Sequence, residues 1–150
     1  MTPRQTYVIP QKIIEESEVR LKYIARLDDL AALTDDWDGN GAHHIIPSVI
    51  EVIREVVEKT PVSLLSFWRI FPDLNGTLLI TAKGKHIATL SIGVDEFSFV
   101  VRNLAEKTVG GKRPVSVDDI IKVMGYCKSM SYKTAQFGKG EPTCCLLKES

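Results

Sequence analysis

Residues 65–103 read "LSFWRIFPDLNGTLLITAKGKHIATLSIGVDEFSFVVRN". Four short runs, 65–71, 76–82, 86–92 and 97–103, are rich in β-branched and aromatic residues, which suit a pleated, half-buried surface. "PDLNG", "KGK" and "GVDE" separate them, turn residues at hairpin lengths. Links this short force antiparallel neighbours, since a parallel crossover needs about a dozen residues. Strand side chains alternate between faces, so Ala88, Leu90 and Ile92 share one side, as do Phe97, Phe99 and Val101. That apolar side needs a cover, and the flanking segments supply it.

After Pro10, the row Ile14, Leu21, Ile24, Leu27, Leu30 and Ala31 predicts a long helix, with Glu15, Glu18, Lys22, Arg26 and Asp29 on its solvated side. Pro47 suits the first turn of a second helix, where a missing N–H costs nothing. Its buried stripe is Val49, Val52, Ile53 and Val56, and Thr60-Pro61 ends it. A third helix begins at Ser116, capped with Asp119 three residues on, and buries Val117, Ile120, Ile121 and Met124. Residues 106–114, "EKTVGGKRP", read as a polar connection. Gly110-Gly111-Lys112 lacks the remaining glycine and the Ser or Thr of a phosphate-binding loop. The expected architecture is α+β: N-terminal helices on one face of an antiparallel meander of about four strands, then a C-terminal helix. Residues 1–130 form this single domain, and 131–150 form a loosely ordered tail or a segment used on a partner.

A chain of 150 residues can bury roughly two-thirds of its unfolded surface without staples. Nineteen basic residues balance nineteen acidic ones, so net charge gives no reason to expect nucleic acid or an acidic membrane as a general partner. No apolar run approaches the ~20 residues that span a bilayer, and no signal peptide is evident. Three cysteines, two of them adjacent at Cys144-Cys145, do not form a disulfide framework, and they read as free thiols in the cytoplasm.

The chemically richest stretch is "TDDWDGNGAHH", residues 34–44. Asp36, Asp38, Asn40 and Gly41 fall at positions one, three, five and six of a calcium loop. Position twelve should be a bidentate Glu and is Pro47; position eight should be apolar and is His43. A rigid turn between helices explains the same letters: Asp38 accepts backbone N–H bonds, while Gly39 and Gly41 permit positive φ. The turn is the preferred reading. It makes Trp37 the anchor that closes the first helix against its neighbours and gives Asp36 no fixed partner. His43 and His44 could bind zinc with Asp36 or Asp38, but no further His or Cys stands at ligand spacing. Asp35, Asp36 and Asp38 could share acid–base work, although clustered exposed carboxylates are generally solvated or capping. His86 reads as a surface residue at the start of a strand.

Trp37-Asp38-Gly39-Asn40-Gly41-Ala42, followed by Phe71-Pro72-Asp73-Leu74-Asn75-Gly76-Thr77-Leu78, resembles a set of small uncharacterised bacterial and mobile-element proteins. Those carry a W-D-G-x-G-A turn and a later P-x-x-D-G step that opens a strand. The resemblance covers about residues 27–92, and here the step is one residue longer. Where such sequences often place a tryptophan, this chain has Ile80-Thr81-Ala82. The resemblance implies an α+β fold and no particular activity. Two functions remain open: a non-enzymatic protein-interaction or regulatory module of the immunity or antitoxin kind, needing no cofactor, or a metal-dependent hydrolase or metal-regulated module built on residues 35–44.

Overall fold

The computed structural model describes residues 10–84, 87–102 and 107–132. His86, Cys144 and Cys145 lie outside them, as does the tail beyond residue 132. The meander is β1 (Trp68–Pro72), β2 (Leu78–Ala82), β3 (Ile87–Ile92), β4 (Glu96–Arg102) and β5 (Thr108–Pro114), paired antiparallel in chain order. Helices α1 (Gln11–Ala31), α2 (Pro47–Lys59), the single turn α3 (Val62–Leu65) and α4 (Val117–Tyr132) complete the α+β fold.

The sheet has five strands, because the stretch read as a polar connection is β5. It pairs with β4 along its length, from Glu96↔Pro114 to Arg102↔Thr108. Strand propensity misses it because backbone pairing with β4, rather than its own side chains, holds it in place. Its two glycines are matched to β4. A Cβ on Gly110 would lie 2.9 Å from the Phe99 carbonyl oxygen, and one on Gly111 would lie 3.1 Å from the Phe99 ring. Lys112, Arg113 and Pro114 then blunt this edge against pairing with another chain.

One sheet face is the core. Trp68, Ile70, Leu78, Ile80, Leu90, Ile92 and Phe97 pack with Ile53, Val56, Ile120 and Met124 in one buried cluster. Each such side chain contributes about 1.5–3 kcal/mol by leaving water. Helix α4 crosses β3 and β4, α1 lies beside β1, and α2 packs against both helices. The predicted stripe of α2 widens to include Ile50 and Val57, while Val52 is only half-buried. In α1 the predicted apolar row is buried only at Leu27 and Leu30. Ile14 and Ala31 are exposed, and Leu21 is 65% exposed. The Ser116 hydroxyl accepts the Asp119 N–H at 3.4 Å, a long version of the expected cap. Helix α4 runs through Ser131, which is buried with its hydroxyl donating to the Cys127 carbonyl. Burial without a charged partner pushes the Cys127 thiol up to about 12, so it packs as a neutral side chain.

Side chains tie the layers together. Arg20 of α1 donates from one guanidinium nitrogen to the carbonyls of Val57, Glu58 and Thr60, which satisfies the C-terminus of α2 and places a cation at its negative end. Among the described residues no helix is long and apolar enough to cross a membrane.

Gly125 lies inside α4, and a Cβ there would meet only Leu64 Cδ2, at 3.9 Å. Gly125→Ala is therefore expected to stabilise the protein by about 0.5–1 kcal/mol, since the helix loses glycine's conformational freedom without a clash. Urea midpoints of the two proteins check this, and a lower midpoint in the alanine variant would contradict the packing.

Candidate functional site

Residues 32–46 fold into a closed corner between α1 and α2. The Asp36 N–H donates to the Ala42 carbonyl at 2.6 Å, and the Gly39 N–H donates to the Asp36 carbonyl at 3.0 Å. One Asp38 carboxylate oxygen accepts the backbone N–H groups of Asn40 (2.8 Å) and Ala42 (3.0 Å), as the turn reading expects. Asp36 departs from that reading. Its carboxylate accepts the Gly41 N–H at 2.6 Å, and its own φ is +66°, a conformation Asp tolerates better than most residues. Asp36 is thus a fixed part of the corner. Trp37 is half-buried rather than a core anchor, and its indole N–H donates to the His43 carbonyl at 2.9 Å. It closes the loop on itself.

The corner docks on the β1–β2 turn. The His43 N–H donates to the Leu74 carbonyl (2.8 Å) and the Ile46 N–H to the Gly76 carbonyl (2.9 Å). Gly76 has φ +89°, and a Cβ there would lie 2.9 Å from the His44 carbonyl oxygen. Glycine is needed twice over, for its backbone angle and for the closeness of the crossing chain. Residues 43–46, which follow the first sequence motif directly, therefore meet the second, 71–78, in one junction.

The residues that could hold a metal regroup accordingly. Asp35, His43 and His44 offer ligand atoms within 4.8 Å of one another, whereas Asp36 and Asp38 do not join that group. One Asp35 oxygen accepts both the backbone N–H of His44 (3.0 Å) and its ring Nδ1 (2.8 Å). His43 Nδ1 meets the His44 carbonyl, and the two rings stack at 4.2 Å. The adjacent histidines converge because residues 42–46 are irregular backbone, not helix or strand. Both Nδ1 atoms are engaged, and Asp35 orients His44 as carboxylates commonly do behind a ligating histidine. Sequence spacing gives no sign of Asp35, which pairs across nine residues only once the corner has closed. No family model, curated protein or solved structure matches this chain.

Three outcomes follow from this geometry. Gly76→Ala should destabilise by about 2 kcal/mol or more, because left-handed backbone costs a residue with a Cβ roughly 1–2 kcal/mol and the contact with His44 adds to it. Gly39→Ala, at φ +76° with no atom within 4 Å of a Cβ, should show only the backbone cost. Equal urea midpoints for the two variants would contradict the close crossing. Calcium at millimolar concentration should leave Tm nearly unchanged, since the Asp36 and Asp38 carboxylates already hold backbone N–H groups. A site occupied at 100 times its Kd would add about 2.7 kcal/mol.

The third outcome concerns pH. The backbone N–H and then the ring of His44 hold the Asp35 carboxyl below the usual range, and the N–H groups of Asn40 and Ala42 do the same for Asp38. Both groups bind protons less readily when folded than unfolded. Their stabilisation is therefore complete above the unfolded carboxylate value of about 4 and is lost as pH falls through the lower folded values. In NMR, the Trp37 indole and His44 amide signals should shift in that acid window. His44→Ala should return Asp35 only part of the way to its ordinary value, because the larger cause is the backbone N–H. A complete return would contradict this order.

Proposed function

We propose that this protein is a non-enzymatic binding module that contacts another protein through the open face of its sheet. The observation that carries the reading is the one-sided cover. The described helices all pack on the core face, while the opposite face presents Phe71 (38% exposed), Ile87 (47%) and Val100 (40%). Between them run Leu79, Thr81, Thr89, Ser91 and Ser98, all half-buried, in the rows Leu79↔Ser91↔Ser98 and Thr81↔Thr89↔Val100. Apolar residues spaced among hydroxyls and bordered by Arg69, Arg102 and Lys112 suit a recognition surface with a greasy centre and a polar rim. Both sheet edges are blunted, which favours the face over strand addition. A regulatory role of the immunity or antitoxin kind is the form of binding module this reading takes. The buried Cys127 thiol supports a reducing compartment such as the cytoplasm.

The test begins with the tagged chain in its host, from which a co-purifying protein is identified and then purified. Ile87→Glu and Val100→Glu each place a charge on the open face. They should change the protein's own stability by no more than about 0.5 kcal/mol while weakening the purified complex more than ten-fold. Wild-type affinity in both variants would remove the face from consideration.

A second reading has its own observation, the Asp35–His43–His44 group. Here the corner is a zinc-responsive element, or the centre of a metal-dependent hydrolase. Zinc titration followed by calorimetry tests it. Saturable binding that is lost in His44→Ala supports the reading, and unchanged heats in that variant defeat it.

A further inference from the structure

Beside the free edge of β1, α1 and the strand enclose an open groove of about 380 Å³, within the range of small-molecule sites. Its lining includes four cations, Lys22, Arg26, Arg69 and Lys83, with the aromatic rings of Tyr23 and Phe71, and no carboxylate. In a chain whose charges sum to zero, this is a marked local excess. Among the described residues none of the four cations makes an ion pair.

Aromatic faces and a backbone carbonyl position two of these cations instead. The Arg26 guanidinium lies 5.8 Å from the centre of the Phe71 ring, and its Nε donates to the Ile70 carbonyl at 3.0 Å. Lys83 Nζ lies 5.8 Å from the centre of the Tyr23 ring. Arg69 stands near enough to Tyr23 to oppose the rise that burial gives its hydroxyl. A cation held by a ring is placed without being neutralised, so its remaining N–H groups keep their attraction for an anion. Arg26 retains both terminal nitrogens for this purpose.

We propose that the groove binds a small ligand made of a planar ring and a phosphate, of the nucleoside monophosphate class. The charge decides between anions: a monocarboxylate would offset one of four cations, whereas a phosphate monoester carries close to two charges at neutral pH and three acceptor oxygens. The rings decide the other half of the ligand. Phe71 is 38% exposed at the groove and offers a surface on which a base can stack, a contact worth about 1–3 kcal/mol. The groove shares Arg69 and Phe71 with the open face but not Ile87 or Val100, so Lys83→Ala here and Ile87→Glu there tell the two readings apart.

The full chain is titrated by calorimetry and NMR with adenosine monophosphate, adenosine and inorganic phosphate, at low and physiological salt. The monophosphate should bind saturably and at least ten-fold more tightly than adenosine or phosphate, and salt should weaken it. Shifted signals should centre on Tyr23, Arg69, Phe71 and Lys83. Arg69→Ala and Lys83→Ala should each weaken binding several-fold, and the double variant at least ten-fold, with far-UV circular dichroism and Tm retained. Neither side chain makes a hydrogen bond or ion pair among the described residues, and the backbone bonds of both positions are kept in the alanine variants. Three results would each overturn the proposal: no saturation at 10 mM, equal affinity for phosphate alone, or undiminished binding in the double variant. An octanucleotide that bound over ten-fold more tightly than the monophosphate would reassign the groove to a strand and overturn the small-ligand assignment.

Discussion

The helices lie where they do because two backbones cross at Gly76. Its carbonyl accepts the N–H of Ile46, the residue that precedes the first turn of α2, and the His43 N–H reaches Leu74 in the same turn. The β1–β2 hairpin thus holds the start of α2, and α2 in turn seats α1, whose Arg20 closes the far end of α2. A chain of local bonds sets the angle between the helical layer and the sheet. Hydrophobic burial alone is non-directional and would leave that angle loosely defined.

The same helix deals with the free edge of β1. The Phe67 carbonyl accepts the Lys83 N–H, so alternate residues from Phe67 turn their backbone groups toward β2 while Trp68 and Ile70 turn theirs outward. The Tyr23 hydroxyl lies 2.6 Å from the Trp68 carbonyl and 2.9 Å from that of Leu65, sharing one proton between them. Arg26 takes the Ile70 carbonyl, and Pro72 has no N–H to offer. An edge open to another strand is thereby occupied by side chains. Tyr23 and Arg26 of that cover also line the adjoining groove, whereas Lys22, Arg69 and Lys83 take no part in it.

Strand alternation made four strands, their order and their buried face legible in the sequence, because the side-chain period of two survives any detail of packing. The fifth strand was hidden. Gly110, Gly111 and Lys112 carry turn-like letters, and they pair only because β4 presents an unused edge and a Phe99 ring that needs glycine beside it. Helix periodicity located α1 but overstated its burial, since periodicity says which residues share a side and not how far the neighbour extends. Leu21 keeps the period and still faces solvent. In the corner, Asp38 was readable because its partners lie two and four residues on. Asp36 and Asp35 were not, because they bind Gly41 and His44 only after the loop has closed.

Net charge is an average of the same kind. Equal numbers of acids and bases argue against a field over the whole surface, and that argument is about averages. Five acids are used locally: Asp28 and Glu51 near Arg54, Glu55 beside Lys59, Glu96 near Lys112, Asp35 against His44. None of these pairs includes Lys22, Arg26, Arg69 or Lys83, which have no acidic partner among the described residues. Surface ion pairs add little stability, so their placement is weakly constrained by folding. Four cations gathered around two aromatic rings without one acid among them are a stronger statement than the zero total, because folding gives no reason to keep carboxylates away from them. The asymmetry lies in the arrangement, and a count of charges cannot register it.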